Sequence, residues 1–527
     1  RHGIRDQVCP GVSGHRGRID LKVLDMGEEK KTPFIPDFFR QDSSSFVPEW
    51  LKAANPASAA GSRRAQGSAG PSAAASGGKA LLVKGGHCVI PYKGIFPFDV
   101  RIKGAKIDTV GENLSDPQAL TVDARGKYVL PGVIDPHVHL GIFTDFDTEI
   151  VTETRSALLN GVTTLGLYLG GQDSYLGKLD DVIAKIERSS FCDVFIHLVI
   201  LNRKQLEEVP ACYSRYGIAS FKTYMCGIPG LIPEVEDDFL LDLMEKVSSL
   251  GPNAILNIHA ENYRIVQRAT ERLKKAYPLS ESLIEWEGSH PAFAEAEAIQ
   301  RAAFLSKETG ARIYFVHVSS EKGIQSARDL KPKNRNLYFE TTSPYLTLDL
   351  EQNLDLLYKM VPPIRSRKNQ MALWQGLADD TVDTIGSDHT PMSSGQKKTS
   401  VNLWDVPPGY PAVGTHLPSL LDRAAGNGLP LVRLVEKMSA SPAKIFGLYP
   451  GKGTLLPGSD ADLVVVDPSL KKEATPQAAA SRSDYCLHEG KILKGWPVAV
   501  IKSGQWFTPD NLERVRGSFQ AKYLRRV

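Results

Sequence analysis

His137 and His139 close the apolar run Val129-Leu130-Pro131-Gly132-Val133-Ile134-Asp135-Pro136-His137-Val138-His139. In a strand, side chains at i and i+2 point to the same side. The two imidazoles can therefore face one point, as two ligands of a shared metal must. Two histidines do not complete a site. Three further candidates stand at the ends of apolar runs: His259 in Asn257-Ile258-His259-Ala260-Glu261, His317 in Phe315-Val316-His317-Val318-Ser319-Ser320, and Asp388 in Ile385-Gly386-Ser387-Asp388-His389. A single histidine in an apolar strand is ordinarily a satisfied core residue, and His197 is read that way. Four histidines and an aspartate at four strand ends read instead as a metal centre. Imidazole and carboxylate suit zinc, the expected metal, and also manganese, iron or cobalt. Lys222, in Ser220-Phe221-Lys222-Thr223-Tyr224-Met225, has two readings. It is a strand lysine that snorkels or pairs with an acid, or a buried amine of depressed pKa that takes up carbon dioxide as a carbamate and binds metal.

The elements that must position these residues alternate along the middle of the chain. Strands are expected over Val129–Leu140, Val162–Leu169, Val194–Leu201, Ile218–Met225, Ala254–Ala260, Arg312–Ser319, Leu337–Thr342 and Thr381–Asp388. Helical spacing falls between them, as in 149–159, 178–187, 239–248, 292–308 and 368–378. This pattern predicts an α/β fold, a TIM-type (β/α)8 barrel, whose chemistry gathers at the C-terminal strand ends. Short β segments on both sides of the middle, such as 80–83, 98–102, 107–110, 462–467 and 498–502, predict a small β-sandwich built from both chain ends. The expected division is 79–130 plus 448–507 for the sandwich and 131–447 for the barrel. Residues 1–78 are expected to be an extension followed by an Ala/Ser/Gly linker from about Asn55. Asp20, Asp25, Glu28 and Glu29 oppose a transit peptide there. The tail 508–527 carries Arg514, Arg516, Lys522, Arg525 and Arg526, which read as a subunit contact or as a solvated tail.

The chain has 527 residues, 42% of them apolar and 23% charged, with a net charge of +3. That balance is ordinary for a globular enzyme and gives no reason to expect nucleic acid or an anionic membrane. Apolar runs fall short of a membrane span. Six scattered cysteines without a Cys-x-x-Cys pair predict reduced thiols and a cytoplasmic location.

The ordered set Pro-Gly-Val-Ile-Asp-Pro-His-Val-His, Ser-Phe-Lys-Thr-Tyr-Met, Ile-His-Ala-Glu-Asn, Val-His-Val-Ser and Gly-Ser-Asp-His resembles the cyclic amidohydrolases of the hydantoinase and dihydropyrimidinase group. So do Ser441-Pro442-Ala443-Lys444-Ile445-Phe446-Gly447-Leu448 and residues 452–463. The resemblance implies two divalent metals. His137, His139 and Asp388 would hold one, His259 and His317 the other, with carboxylated Lys222 bridging them. It implies ring opening of a hydantoin or dihydropyrimidine to an N-carbamoyl amino acid, with Asp388 accepting a proton and passing it to the leaving nitrogen. It also implies a homo-oligomer, tetramer or dimer. Allantoinase, another amidohydrolase reaction, and a non-catalytic dihydropyrimidinase-related scaffold are the alternatives. The scaffold reading is opposed by all six metal positions being present.

Three positions depart from the resemblance, and all concern the substrate. Gly227 stands where relatives often have an oxyanion-holding tyrosine, and Tyr224 is the nearest phenol in sequence. Pro408 stands where a ring-binding asparagine would fall. Gly141 stands where dihydroorotases place a carboxylate-binding arginine. Tyr224, Ser319 and Ser320 are expected as substrate contacts, with structural turn residues as the other reading for the two serines.

Overall fold

A computed structural model describes residues 80–228, 230–508, 510–512 and 520–526. The expected extension and linker over 1–78 lie outside the described residues. Eight parallel strands form one sheet in sequence order: β1 (Val133–His139), β2 (Val162–Leu169), β3 (Asp193–Val199), β4 (Ser220–Tyr224), β5 (Ile255–His259), β6 (Ile313–Phe315), β7 (Leu337–Thr342) and β8 (Thr384–Gly386). The sheet curls round so that β1 meets the end of β8. Val138 and His389 form a parallel bridge, and the His139 N–H donates to His389 O at 2.7 Å. This is the expected (β/α)8 barrel.

The strands are buried almost throughout, as parallel strands covered by helices must be. The helices bury one stripe each. In helix Asp237–Ser248 the stripe is Phe239, Leu240, Leu243, Met244 and Val247, at the i, i+4, i+8 spacing that keeps one face on the sheet. Helix Arg203–Tyr216 is started by Asn202, whose side chain accepts from the Gln205 N–H at 3.0 Å, and stopped by Gly217 at φ +68°. Its stop is one of the positions where positive φ calls for glycine.

Two sheets lie outside the barrel. A four-stranded sheet comes wholly from residues 81–123. A six-stranded sheet joins Tyr128–Pro131, His87–Ile90 and Gly94–Phe96 to Leu463–Glu473, Ile492–Lys502 and Gln505–Phe507. Their shared core takes Val83, Val100 and Ile107 from one chain end and Leu463, Val465 and Ile501 from the other. The run 129–140, expected as one strand, is divided between this sheet and β1. Gly132 makes the division. Its N–H donates to Asp462 O at 2.7 Å, and a Cβ there would lie 2.1 Å from Thr163 Oγ1.

The C-terminal segment differs from one of the two expectations for it, the solvated tail; Arg514 and Arg516 lie outside the described residues. Among the described residues 520–526, Tyr523 bridges to Val194 at the start of β3, Arg526 Nη2 donates to Ile196 O at 3.0 Å, and the Arg526 guanidinium lies over Phe195. Tyr523 and Arg526 are buried, while Lys522 and Arg525 stay exposed. The alternation is that of an edge segment with one face on the barrel, so the described part is not a solvated tail.

Candidate metal centre

The six residues singled out as metal ligands come together. His137, His139, Lys222, His259, His317 and Asp388 line one cavity of about 400 Å³ at the C-terminal strand ends. His137 and His139 end β1, Lys222 sits within β4, His259 ends β5, and His317 and Asp388 lie just past β6 and β8. The last two are in the left-handed region, φ 42° and 53°. Non-glycine residues hold such a backbone only where surrounding contacts impose it, at a cost of about 1–3 kcal/mol each. In both cases the turn aims the side chain at the cavity rather than along the strand.

His137 Nε2 and His139 Nε2 are 3.2 Å apart, and Asp388 Oδ1 lies 3.1 Å and 3.2 Å from them. Donors 2.0–2.1 Å from a tetrahedral metal would be about 3.3 Å apart, so this triad fits a common cation. Among the described residues, only this group and Asp193, Asp460 and Asp462 bring three such donors together. The second group is filled by cations: Lys452 Nζ lies 2.6, 3.0 and 2.7 Å from the three carboxylates in turn.

His259 and His317 face each other edge to face with ring centroids 4.6 Å apart, and His317 is 5.5 Å from His137. His259 Nε2 lies 2.8 Å from Glu261 Oε2, and Glu261 Oε1 lies 3.0 Å from His290 Nδ1. That leaves Nδ1 of His259 for a metal, the usual division of labour between the two ring nitrogens. Burial pushes His139, His259 and His317 below the ordinary histidine value, which keeps them neutral and able to ligate. His137 is different. Burial lowers it, but the carboxylates of Glu340 and Asp388 outweigh burial and hold it at about 9. Asp388 itself lies well below the usual carboxylate range, because His137 and His139 outweigh a burial that would raise it.

The Lys222 side chain is fully buried. Its amine lies 5.0 Å from the Tyr168 ring centroid and 4.6 Å from that of Tyr224, with no hydrogen bond or ion pair among the described residues. Burial pushes it down to about 7, against the opposing pull of Asp388 and Glu340. The pairing with an acid, one of its two readings, is therefore absent from the described residues. His197 is the satisfied core residue expected: its ring nitrogens meet Ser220 Oγ at 2.5 Å and Pro136 O at 3.0 Å.

Tyr224 lines the cavity and stacks on His259 at 5.6 Å. Ser319 and Ser320 do not reach the cavity wall. The Ser319 N–H and hydroxyl donate to Glu295 Oε1 at 2.8 Å and 2.7 Å, and Ser320 Oγ accepts from the Gly323 N–H at 2.9 Å to cap helix Glu321–Leu330. These are the hydrogen bonds of a turn residue and a helix cap. Gly227 has no room for any side chain, since a Cβ there would lie 2.6 Å from Ile232 O and 2.7 Å from Glu234 N. The loop folds back tightly at that point, through a bridge between Ile228 and Ile232.

Four polar residues that sequence reasoning passed over complete the site. Glu340, in β7, takes the His137 Nδ1 proton at 2.6 Å and the His317 backbone N–H at 3.0 Å on one oxygen, and the Tyr314 hydroxyl at 2.7 Å on the other. Asp135 accepts from the backbone N–H groups of His137 (3.1 Å) and Ser387 (2.9 Å), tying the end of β8 to β1. Glu261 orients His259, as described. The Tyr410 hydroxyl donates to Asp388 Oδ2 at 2.8 Å. Glu340 and Glu261 had a signal, each being a lone acid in or beside an apolar strand. Gly386 shows how tightly the group is built: a Cβ there would lie 2.8 Å from His137 Cβ and 3.0 Å from Glu340 Oε2.

Comparison with known proteins agrees with this geometry. The amidohydrolase family profile matches residues 128–507. The L-hydantoinase of Paenarthrobacter aurescens is 30% identical over 424 residues, which cover 78% of this chain and 91% of that one. The D-hydantoinase of Geobacillus stearothermophilus is 31% identical over 449 residues, 81% and 93% of the two chains. The crystal structure of dihydropyrimidinase from Brevibacillus agri superposes with a TM-score of 0.76 at 28% identity, covering 85% of this chain and 98% of that one. With a profile spanning most of its length, the chain belongs to the amidohydrolase family, and it is a hydrolase of the hydantoinase and dihydropyrimidinase kind.

Proposed function

We propose that the protein hydrolyses a cyclic amide, of hydantoin or dihydropyrimidine type, to an N-carbamoyl amino acid, using two divalent metals. The observation that carries this reading is the set of six candidate ligands on one buried cavity, three of them already at the mutual spacing of ligands on one ion. His137, His139 and Asp388 would hold one metal, His259 and His317 the other, and Lys222, carboxylated on its amine, would bridge them. Zinc suits this nitrogen and oxygen set. Such ions supply Lewis acidity, which makes water acidic enough to attack at neutral pH and an amide carbonyl electrophilic.

The chain's own residues then have distinct tasks. An amine at about 7 is substantially neutral at physiological pH, the form that reacts with carbon dioxide. Asp388 accepts the proton of the attacking water and returns it to the ring nitrogen as the C–N bond breaks. Leu140, Ile142, Phe143, Phe146, Ile228 and Leu231 line the outer cavity and form an apolar wall for the ring substituent, which also keeps bulk water from the reacting carbonyl. No arginine lines this cavity among the described residues, and the lysine at its rim, Lys185, is already paired with Asp147 at 3.0 Å and Asp181 at 3.1 Å. A neutral ring fits better than dihydroorotate.

The same reading takes residues 131–447 as the barrel and 79–130 with 448–507 as the sandwich, supported by one core made only of residues from the sandwich ranges, while Val89, Val464 and Val500 join the barrel's core and form the seam between them. It takes the protein as a cytoplasmic homo-oligomer, tetramer or dimer. Buried free thiols at Cys88, Cys192, Cys212, Cys226 and Cys486 support a reducing compartment. No helix among the described residues is long and apolar enough to cross a membrane.

The deciding experiment is metal analysis joined to ring-opening assays on hydantoins, dihydrouracil, allantoin and cyclic imides. The expected result is two metals per chain and turnover of at least one neutral ring. Less than one metal per chain after supplementation with metal and bicarbonate, with no turnover, rejects the reading.

A further inference from the structure

The carboxylate of Asp388 is held from both sides. Oδ1 lies between His137 Nε2 and His139 Nε2, and Oδ2 accepts the Tyr410 hydroxyl at 2.8 Å. The turn past the end of β8, with Asp388 at φ 53°, aims the side chain at the cavity but leaves the rotation of its carboxylate about the Cβ–Cγ bond to the side chain's own contacts. Tyr410 does have a fixed backbone. Its carbonyl accepts from the Thr390 N–H at 2.9 Å in an antiparallel bridge. Pro408 and Pro411 restrict the chain around it. Gly409 packs so closely that a Cβ would lie 2.6 Å from Phe143 and 2.7 Å from Met392 Sδ. The Tyr410 ring is buried, it lines the reaction cavity, and its hydroxyl has Asp388 as its one hydrogen-bond partner among the described residues.

We infer that Tyr410 is a positioning residue, which fixes the plane of the Asp388 carboxylate for proton transfer. The inference rests on the hydrolytic reading above. In that reaction a C–O bond forms between water and the carbonyl carbon, and the C–N bond breaks. One proton leaves the water for Asp388 and ends on the departing nitrogen. The two transfers run in different directions from one carboxylate, so its orientation must serve both. Without the phenol, nothing among the described residues holds Oδ2, and the carboxylate plane can turn about the Cβ–Cγ bond. Misplacement of a proton-transfer group by about 1 Å costs on the order of 100-fold in rate. The cost falls most heavily on substrates whose nitrogen cannot leave without a proton.

The test uses the full-length, metal-loaded protein and a series of cyclic imides of graded N–H acidity. Tyr410→Phe is expected to keep its metal content and melting temperature, to hold KM within about 2-fold, and to lose kcat by about 10- to 100-fold. The loss should grow along the series as the leaving nitrogen becomes more basic. Tyr410→His, which keeps a donor on a smaller ring, should recover part of kcat. The cobalt-substituted Tyr410→Phe protein should show an altered visible spectrum at unchanged stoichiometry, since Asp388 is also a proposed ligand. Wild-type kcat in the Phe variant overturns the inference while leaving the hydrolytic reading intact. So does a loss that is uniform along the series and tracks lost metal. A wild-type protein inactive on every ring overturns the hydrolytic reading, and the inference with it.

Discussion

Glu340 Oε1 lies 2.6 Å from His137 Nδ1, and neither side chain is exposed. The contact fixes the ring of the first histidine in the His-x-His pair, so that Nε2 faces Asp388 and His139. The same oxygen receives the His317 N–H, so one carboxylate holds a candidate ligand from each of the two proposed metal positions.

Glu340→Gln should therefore weaken metal binding before it affects anything else. Removing a carboxylate behind a ligating histidine typically costs 10- to 100-fold in metal affinity or activity. Competition with a chromophoric chelator measures this directly. Wild-type affinity in Glu340→Gln would show that His137 needs no carboxylate to hold its orientation.

Lys222→Ala tests the bridge. The variant removes a buried amine that has no partner of its own among the described residues, so the cost to folding is the cavity left by the side chain and not a broken ion pair. Metal occupancy and activity should fall together, and a short-chain carboxylate added in solution should restore part of both. Full occupancy with unchanged activity would reject carboxylation of Lys222.

The candidate ligands that line the cavity were legible because the barrel gathers its strand ends at one mouth. Alternating apolar runs and helical segments told which ends those were. Strand limits were less legible. β6 and β8 pair over three residues each, Ile313–Phe315 and Thr384–Gly386, while burial continues through Val316 and Val318; apolar periodicity follows burial and not hydrogen bonding. Tyr410 was not legible at all. It sits in a Pro- and Gly-rich loop with no period, 22 residues after the aspartate it touches, and only the tertiary fold brings the two together. The C-terminal segment misled for a related reason. All its basic residues read as surface charge; Arg525 is exposed as read, but the Arg526 guanidinium finds backbone and aromatic partners under the barrel.

Gly132, at the joint between the six-stranded sheet and β1, offers a steric test. An alanine methyl there would meet Thr163 Oγ1, Cγ2 and Cβ at 2.1, 2.9 and 3.0 Å. Thr163 is buried in β2, so it cannot swing into solvent. Overpacking of this kind costs about 1–3 kcal/mol. Gly132→Ala should lower stability in urea by that amount, and Thr163→Ala should recover much of the loss when combined with it. Strict additivity of the two changes would show that the clash is relieved elsewhere.

The acidic cluster beneath the barrel predicts how stability responds to acid. Asp462 accepts from Lys452 at 2.7 Å and from Lys502 at 3.2 Å, and Asp193 takes the same two amines at 2.6 Å and 2.7 Å. Burial would raise the Asp462 carboxyl, but Lys452 and Lys502 outweigh it and hold the group below its ordinary value. Lys452 is likewise held above its own, its three carboxylates outweighing burial. A depressed carboxylate stabilises fully above its unfolded value of about 3.9, and that stabilisation is lost as pH falls through the lower folded value. This network should therefore contribute no slope between pH 5 and 8 and a steep loss below about pH 4. Asp462→Asn removes one carboxylate from a buried network that keeps Asp193 against both lysines and Asp460 against Lys452, a change that should cost about 1.5–3 kcal/mol near neutral pH. Urea unfolding of both proteins at pH 7, 5 and 3.5 separates the effects. The variant should start lower and lose less on acidification. Parallel losses in the two proteins would place the acid sensitivity in other carboxylates.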